Sequence, residues 1–345
     1  MNNDEKYMSR CIGLAKNGKG NVSPNPMVGC VIVHNNIIIG EGYHHKHGDN
    51  HAEVVAINQV KDKSKLKAST LYVSLEPCSH HGKTPPCSDY IIKNNIFKVV
   101  IGCKDSSTKV NGKGIQTLID AGIEVKLGIL ENKCRLLNKR FFTFHEKKRP
   151  FIILKWAETK DGYIDIKRTD SNQGIAWITN KDTKLLTHKL RAQEDAILVG
   201  RRTIENDNPS LNTRHYNGSN PSIFIIDTNL KLEHNYKIFQ SDVNIFNIIK
   251  SETQNKIEYI KLNADNFLKD LLSYLYNNKI QSIIIEGGKT TLNSFIKTNY
   301  WDKAKIITGN TYFEEGIESP KINKVPSETY TFADDTINIY RNNFT

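Results

Sequence analysis

Strand-length apolar runs alternate with helix-length segments along the whole sequence, and this alternation restricts the fold more than any other feature. In the first half, MVGCVIV (27–33) and IIIG (37–40) flank a His-Asn-Asn turn and read as a hairpin. TLYVSL (70–75), FKVVIG (97–102) and IEVKLG (123–128) read as further strands. Residues 4–17, 51–60, 87–94 and 114–122 read as helices; the first carries Tyr7, Met8, Cys11, Ile12 and Ala15 at helical spacing. The second half repeats the pattern. FIILKW (151–156), AILVG (196–200), SIFIID (222–227), NIFNII (244–249), SIIIEGG (282–288), AKIIT and TINIY read as strands, and 181–192, 264–277 and 289–298 as helices. Such alternation implies α/β sheets with parallel pairs. A length of 345 residues, at roughly 150 per domain, predicts two domains. The boundary falls at FFTFHEKKRP (141–150), a basic run that ends in Pro150 before a new strand, so the expected units are 1–146 and 150–345.

Composition excludes several classes. Apolar residues make up 38% and charged residues 25%, enough for a core in each half. Lys plus Arg number 48 against 37 acidic residues, a net charge of +11 spread along the chain. A Lys-rich solvated surface is the simplest reading; attraction of phosphorylated small molecules comes next, and nucleic acid ranks third because no basic-aromatic stripe occurs. No run reaches the ~18 apolar residues of a membrane span, and the first residues lack a secretory signal. Six Cys in a chain this long are not a disulfide framework, and a reducing cytoplasm fits.

Three pieces of sequence carry chemistry in the first half: His51-Ala52-Glu53, Pro77-Cys78 and Pro86-Cys87. Zinc favours imidazole and thiolates, and a catalytic zinc keeps its fourth position for water. His51, Cys78 and Cys87 offer three ligands without an evident fourth. Cys87 opens an expected helix, whose N-terminus favours thiolate. Glu53, two residues after His51 on a first helical turn, is placed to move protons at a metal-activated water without being a ligand, as in zinc deaminases. The competing reading is a closed zinc site or buried thiols, for which His44, His45, His47, His80 and His81 are near enough in sequence to supply a fourth ligand.

The spacing of the two cysteines departs from the Pro-Cys-x-x-Cys of cytidine and tRNA-adenosine deaminases, because CSHHGKTPPC places eight residues between them. With Ser23-Pro24-Asn25-Pro26 and the HAE motif, this loop resembles the bifunctional deaminase/reductase family of riboflavin biosynthesis, and the resemblance covers essentially the whole chain. It implies a cytidine-deaminase-like three-layer N-terminal domain with one Zn2+ per chain on His51, Cys78 and Cys87, Glu53 as proton shuttle, and substrate contacts from Asn25, His44 and Lys83. For His44 the alternative is an exposed loop histidine. Family members usually carry Asp-Pro-Asn-Pro after the 97–102 strand; here the stretch is Asp105-Ser106-Ser107-Thr108, with Ser107 where Asn is expected.

The second half carries Lys155-Trp156-Ala157-Glu158-Thr159-Lys160-Asp161-Gly162, Trp177-Ile178-Thr179, RAQEDAILVGRRTIENDNPSLNTR (191–214) and Ile285-Glu286-Gly287-Gly288. The last lies where a strand gives way to a helix, a place that suits a phosphate, though a tight βα turn is the commoner explanation. No G-x-G-x-x-G occurs, and neither GKT has the upstream Gly of a P-loop. Together these blocks resemble the reductase half of the same family. That implies a dihydrofolate-reductase-like fold using NADPH, with Ala157, Trp177, Thr203, Asp207 and Gly288 on the cofactor and Arg191, Leu211, Arg214 and Glu286 on the substrate. Ile175 stands where a Ser often precedes the Trp. Arg201 and Arg202 are candidates for the 2′-phosphate.

The resemblance thus implies hydrolytic deamination of a ribosylaminopyrimidinone phosphate followed by NADPH-dependent reduction of its ribosyl side chain to ribityl. The partners are phosphorylated pyrimidine small molecules rather than membrane or nucleic acid, and self-association stays open. Two rivals remain: a nucleotide or RNA-base deaminase with an accessory C-terminal domain, and a non-catalytic zinc-stabilised interaction protein. Metal analysis combined with ammonia release separates them.

Overall fold

The computed structural model describes residues 2–81, 85–108, 110–168 and 174–342. The chain divides into two compact units, Met1–Lys148 and Arg149–Thr345.

In the first unit the elements run α1 (Asn3–Ala15), β1 (Gly29–His34), β2 (Ile37–Tyr43), α2 (Ala52–Gln59), β3 (Thr70–Leu75), α3 (Cys87–Lys93), β4 (Lys98–Cys103), α4 (Lys113–Asp120), β5 (Glu124–Leu127), α5 (Glu131–Leu137) and α6 (Lys139–Lys147). The strands make one sheet in the order β2-β1-β3-β4-β5. β1 runs antiparallel to β2 and β3, whereas β3, β4 and β5 are parallel. Successive side chains of a strand point to opposite faces, and both faces are covered. Cys30, Ile32, Leu71, Val73, Val99 and Ile101 pack with Ala56 and Ile57 of α2, Ile91 of α3 and Leu118 of α4. Val31, Tyr72, Val100 and Cys103 pack with Met8 and Cys11 of α1, Cys134 of α5, and Phe141 and Phe142 of α6. This is the expected three-layer arrangement, and burial on two faces explains why the strands read as continuous apolar runs. α1 starts from a capping box between Asn2 and Glu5. It lies so close to β1 that a Cβ on Gly29 would stand 2.0 Å from the Cys11 carbonyl oxygen. The basic stretch FFTFHEKKRP is helical as far as Lys147, because Phe141, Phe142 and Phe144 bury themselves against this unit.

The second unit contains β6 (Phe151–Glu158), β7 (Tyr163–Asp165), α7 (Thr183–Arg191), β8 (Ala196–Gly200), α8 (Arg201–Asp207), β9 (Ser222–Ile226), β10 (Val243–Asn247), β11 (Glu252–Gln254), β12 (Ile257–Lys261), α9 (Phe267–Asn277), β13 (Ser282–Ile285), α10 (Lys289–Lys297), β14 (Lys303–Thr308), β15 (Ile317–Glu318), β16 (Glu328–Phe332) and β17 (Asp335–Arg341). Ten strands form one sheet, ordered β11-β12-β10-β9-β8-β13-β6-β14-β17-β16. The run from β12 to β14 is parallel, and both ends are closed by antiparallel strands. Ile152, Leu154, Leu198, Phe224 and Phe246 pack with Leu271 and Leu275 of α9 and Leu292 and Phe295 of α10. Ile197, Val199, Ile223, Ile225 and Ile245 pack with Ile204 of α8 and with Leu211. The short α8 and the strands β7, β11, β12, β15 and β16 carry too few periodic residues to be read from sequence.

A buried ion pair anchors the start of this unit. Arg149 grips Asp302 with two bonds of 2.6 and 2.8 Å, and Asp302 also accepts the Ile152 amide at 2.9 Å. Its side chain is 2% exposed, so loss of the arginine would strand a desolvated charge, and loss of the carboxylate would strand the guanidinium. Asp302→Ala is expected to lower the unfolding free energy of this unit by about 3–5 kcal/mol in urea titrations, whereas replacing both partners with apolar residues should cost much less.

Candidate active site

The first unit brings three donor atoms together. His51 is the N-cap of α2, Cys87 is the first residue of α3, and Cys78 follows β3. Nδ1 of His51 lies 3.2 Å from Cys87 Sγ and 3.4 Å from Cys78 Sγ, and all three donors lie within 4.8 Å of one another. Zinc bonds of ~2.0–2.3 Å in a tetrahedron separate ligands by roughly 3.3–3.8 Å, so this spacing and the His/Cys/Cys chemistry fit zinc. The Cys87 amide points at Cys78 Sγ from 3.3 Å. The Cys87 thiol, and then His51, hold the Cys78 thiol well below its ordinary value, while the same contact with Cys78 pushes Cys87 up.

Glu53 sits in the first turn of α2 and is 3% exposed. Its Oε2 has no hydrogen-bond partner, and burial pushes the carboxyl up to about 7. The group is thus desolvated beside the three donors and uncommitted at one oxygen. His44 is buried, 2% exposed, which excludes the exposed-loop alternative. Its Nδ1 faces the Asn50 carbonyl at 3.2 Å, and that partner can only accept. Nε2 is therefore left to accept the Asn25 side-chain amide at 3.0 Å. The His44 ring stands edge-on to His51, with centroids 5.2 Å apart. Lys83 lies outside the described residues. Ser107 is buried, and its amide donates to Asp105 Oδ1 at 2.6 Å.

In the second unit the expected residues form separate groups at the carboxyl ends of parallel strands. Glu286 follows β13 and receives a two-pronged contact from Arg191, at 3.2 and 2.7 Å. Lys155 of β6 lies 3.8 Å from the same carboxylate. Against the upward push of burial, Arg191 and Lys155 hold the Glu286 carboxyl at about 2. Burial lowers Lys155, with Glu286 opposing. In the sequence Lys155 is only the first residue of its motif, and a single lysine in an apolar strand is the one signal of this contact. Arg191 also donates to the Asn212 carbonyl at 3.2 Å. Arg214 is exposed and bonds Asn212 Oδ1 at 2.9 Å in the wall of an open cleft. The Leu211 side chain belongs to the core, 3% exposed, with φ +49.

Thr203 of α8 accepts the Gly288 amide at 3.0 Å, joining two of the positions expected on the cofactor. Gly288 is the N-cap of α10. Asp207 ends α8 and lies 3.4 Å from Arg168, which also pairs with Asp165. Burial, then the neighbouring Asp165, pushes Asp207 up to about 6. Ala157 lies in β6 opposite Ile307 of β14. Trp177 and Ile175 are exposed, and Lys184 stands 3.4 Å over the Trp177 ring. Arg201 contacts both Glu205 and Asp227, so its charge is already answered within the unit, while Arg202 is exposed.

The fold and the His/Cys/Cys group define a zinc-type deaminase unit joined to a second α/β unit. Residues 1–103 match the cytidine and deoxycytidylate deaminase zinc-binding region, and residues 150–312 match the RibD C-terminal domain. The riboflavin biosynthesis protein RibD of Aquifex aeolicus is 38% identical over 91% of this chain and 89% of that protein. RibD of Actinobacillus pleuropneumoniae is 40% identical over 83% of this chain and 78% of its own length. The crystal structure of a diaminohydroxyphosphoribosylaminopyrimidine deaminase/5-amino-6-(5-phosphoribosylamino)uracil reductase from Thermotoga maritima superimposes with a TM-score of 0.86 at 34% identity, covering 98% of both chains. The chain belongs to the RibD family of riboflavin biosynthesis. It is a bifunctional deaminase and reductase acting on small pyrimidine substrates, with zinc and NADPH as its cofactors. Among the described residues no helix is long and apolar enough to cross a membrane.

The ion group at Glu286 has a pH consequence. A carboxyl held at about 2 in the fold against an ordinary 4.5 binds fewer protons folded than unfolded. Its stabilising contribution is therefore full above pH 4.5 and falls away as pH drops toward 2. It is on the order of 3 kcal/mol. Acid titration of stability should show Glu286→Gln less stable than the parent near neutrality and flatter across that window.

Proposed function

We propose that residues 1–146 hydrolyse the ring amino group of a 2,5-diamino-6-ribosylamino-4(3H)-pyrimidinone 5′-phosphate, and that residues 150–345 then reduce the ribosyl side chain to ribityl with NADPH. The observation that carries the first half is the convergence of His51, Cys78 and Cys87 beside the unpartnered Glu53 oxygen. His51, Cys78 and Cys87 would hold zinc; bound there, it supplies Lewis acidity that makes water nucleophilic near neutral pH. Glu53 is close by, desolvated and uncommitted at Oε2. It takes a proton from the attacking water and delivers it to the ring nitrogen, and a further transfer lets ammonia leave as the C–N bond breaks. Asn25 and His44, fixed by their mutual bond, form one wall for the pyrimidine, and Lys83 is assigned to the phosphate.

In the reductase half, bound NADPH would supply a hydride to C1′ of the ring-opened imine, whose C=N π electrons pass to nitrogen, which takes a proton from solvent. Ala157, Trp177, Thr203, Asp207 and Gly288 are assigned to the cofactor, and the Thr203–Gly288 bond supports one shared surface for two of them. Arg191, Leu211, Arg214 and Glu286 are assigned to the substrate. Arg191 orients Glu286 for hydrogen bonding, Arg214 in the open cleft suits a phosphate, and Leu211 would contribute through its backbone. The distributed positive charge favours phosphorylated small molecules over nucleic acid, the buried free thiols suit the cytoplasm, and self-association is compatible with this reading.

Glu53→Gln tests the central assignment. The variant should retain one zinc per chain and lose ammonia release by about 10²–10⁴-fold or more. NADPH-dependent reduction of the already deaminated compound should persist. Ammonia release close to the parent rate would remove Glu53 from the mechanism. Residues 1–148 expressed alone, which keeps α6 intact, should fold and bind zinc; insolubility would count against the division of labour.

A further inference from the structure

The carboxylate of Glu76 is 4% exposed and, among the described residues, makes no ion pair with a basic side chain; instead it collects backbone amides from a distant stretch of chain. Oε2 accepts from Asp105 at 3.1 Å and Gly112 at 3.0 Å, and Oε1 accepts from Gly114 at 3.0 Å and Ile115 at 3.3 Å. Three of these donors open α4, whose N-cap, Gly112, has no side chain with which to cap the helix. The unsatisfied amides and positive end of a helix favour an anion, and here the anion comes from a residue 36 positions earlier. The sequence Gly112-Lys113-Gly114 is shaped for it. Gly112 has φ +91, and a Cβ on Gly114 would stand 1.9 Å from the Pro77 carbonyl oxygen.

Glu76 stands two residues before Cys78, and the segment it holds begins at Asp105, two residues after β4. Within that segment the Ser107 amide donates to Asp105 Oδ1 at 2.6 Å. This backbone lies against the strand end that leads to Cys78, where Gly114 approaches the Pro77 carbonyl, and Glu76 holds it there. The geometry points to Glu76 as a positioning residue for deamination: its carboxylate fixes the backbone at Asp105 and at Gly112–Ile115 against the strand end that delivers Cys78, so that substrate meets a pre-formed wall. Cys78 has a separate tether, since its carbonyl accepts the Ser88 amide at 3.1 Å and its Sγ faces the Cys87 amide. Metal binding and wall placement are thus separable. This inference rests on the deaminase assignment proposed above.

The test is Glu76→Gln in the full chain, because Gln keeps one accepting oxygen and turns an NH2 toward two donors. Zinc should stay at one per chain, and the amides of Asp105, Gly112, Gly114 and Ile115 should lose hydrogen-exchange protection. KM for ammonia release should rise by roughly tenfold or more, the scale of losing a charge-assisted hydrogen bond, with kcat changed by less than about threefold. Glu76→Asp should recover part of both effects, and it carries the same readouts if the Gln variant does not fold. Unaltered amide protection and KM would overturn the proposal. So would loss of zinc in step with activity, which would make Glu76 a support for Cys78 instead. Absence of ammonia release from the parent protein would sink the deaminase reading by itself, whereas the four amides would still decide whether the clamp exists.

Discussion

The positive end of a helix, set at the carboxyl edge of a β-sheet, is the constraint on which both sites depend. Parallel strands must be joined by crossovers, and each crossover helix starts above the sheet edge with unpaired amides facing outward. In the first unit, Glu53 occupies the first turn of α2, Cys87 opens α3, and the Glu76 carboxylate meets the start of α4. In the second, Gly288 caps α10 and Thr203 lies on α8 just beyond β8. Thiolates, carboxylates and ligand phosphates all gain from that edge. The chemistry is located where the topology concentrates unsatisfied donors, and the core below has only to hold the strands in register.

Three buried glutamates show how environment separates role from residue type. Glu76 meets four amides and is structurally committed. Glu286 meets Arg191 and Lys155 and stays ionised, held at about 2. Glu53 has burial without enough compensation, which lifts it to about 7 and leaves Oε2 unpartnered. The third combination describes a group whose proton is easily given and taken near neutral pH. Glu286 serves as an acceptor that stays ionised, and Glu76 as one whose oxygens are occupied by backbone amides.

The sequence exposes what is local and periodic. Apolar runs mark the central strands because their two faces are both buried, and His51, Cys78 and Cys87 are legible because residue type, helix start and strand end coincide. Edge strands such as Glu252–Gln254 escape because they bury little. The helix Lys139–Lys147 escapes because its basic residues mask the phenylalanines that fix it to the sheet. Long-range partners are invisible for a different reason. Nothing near Glu76 announces the amides of Asp105, Gly112, Gly114 and Ile115, and nothing near Asp302 announces Arg149. Lys155 and Glu286 could each be suspected as charged residues next to apolar runs, but their meeting is set by the pairing of β6 with β13.

Cation pairing also changes what the excess positive charge means. A net +11 suggests many free cations near the sites, yet several of the nearest are already answered. Arg191 is committed to Glu286, Arg168 bridges Asp165 and Asp207, and Arg201 lies between Glu205 and Asp227. The diffuse surface charge therefore acts on encounter, raising the local concentration of anionic ligands in a salt-dependent way. In the proposed reading, recognition at close range is left to groups placed more sparingly: the exposed Arg214 beside its cleft and backbone amides at helix starts. Such a division suits an enzyme that, on the proposed reading, attracts a phosphorylated intermediate and still releases it, because a pocket crowded with unpaired arginines would hold product as firmly as substrate.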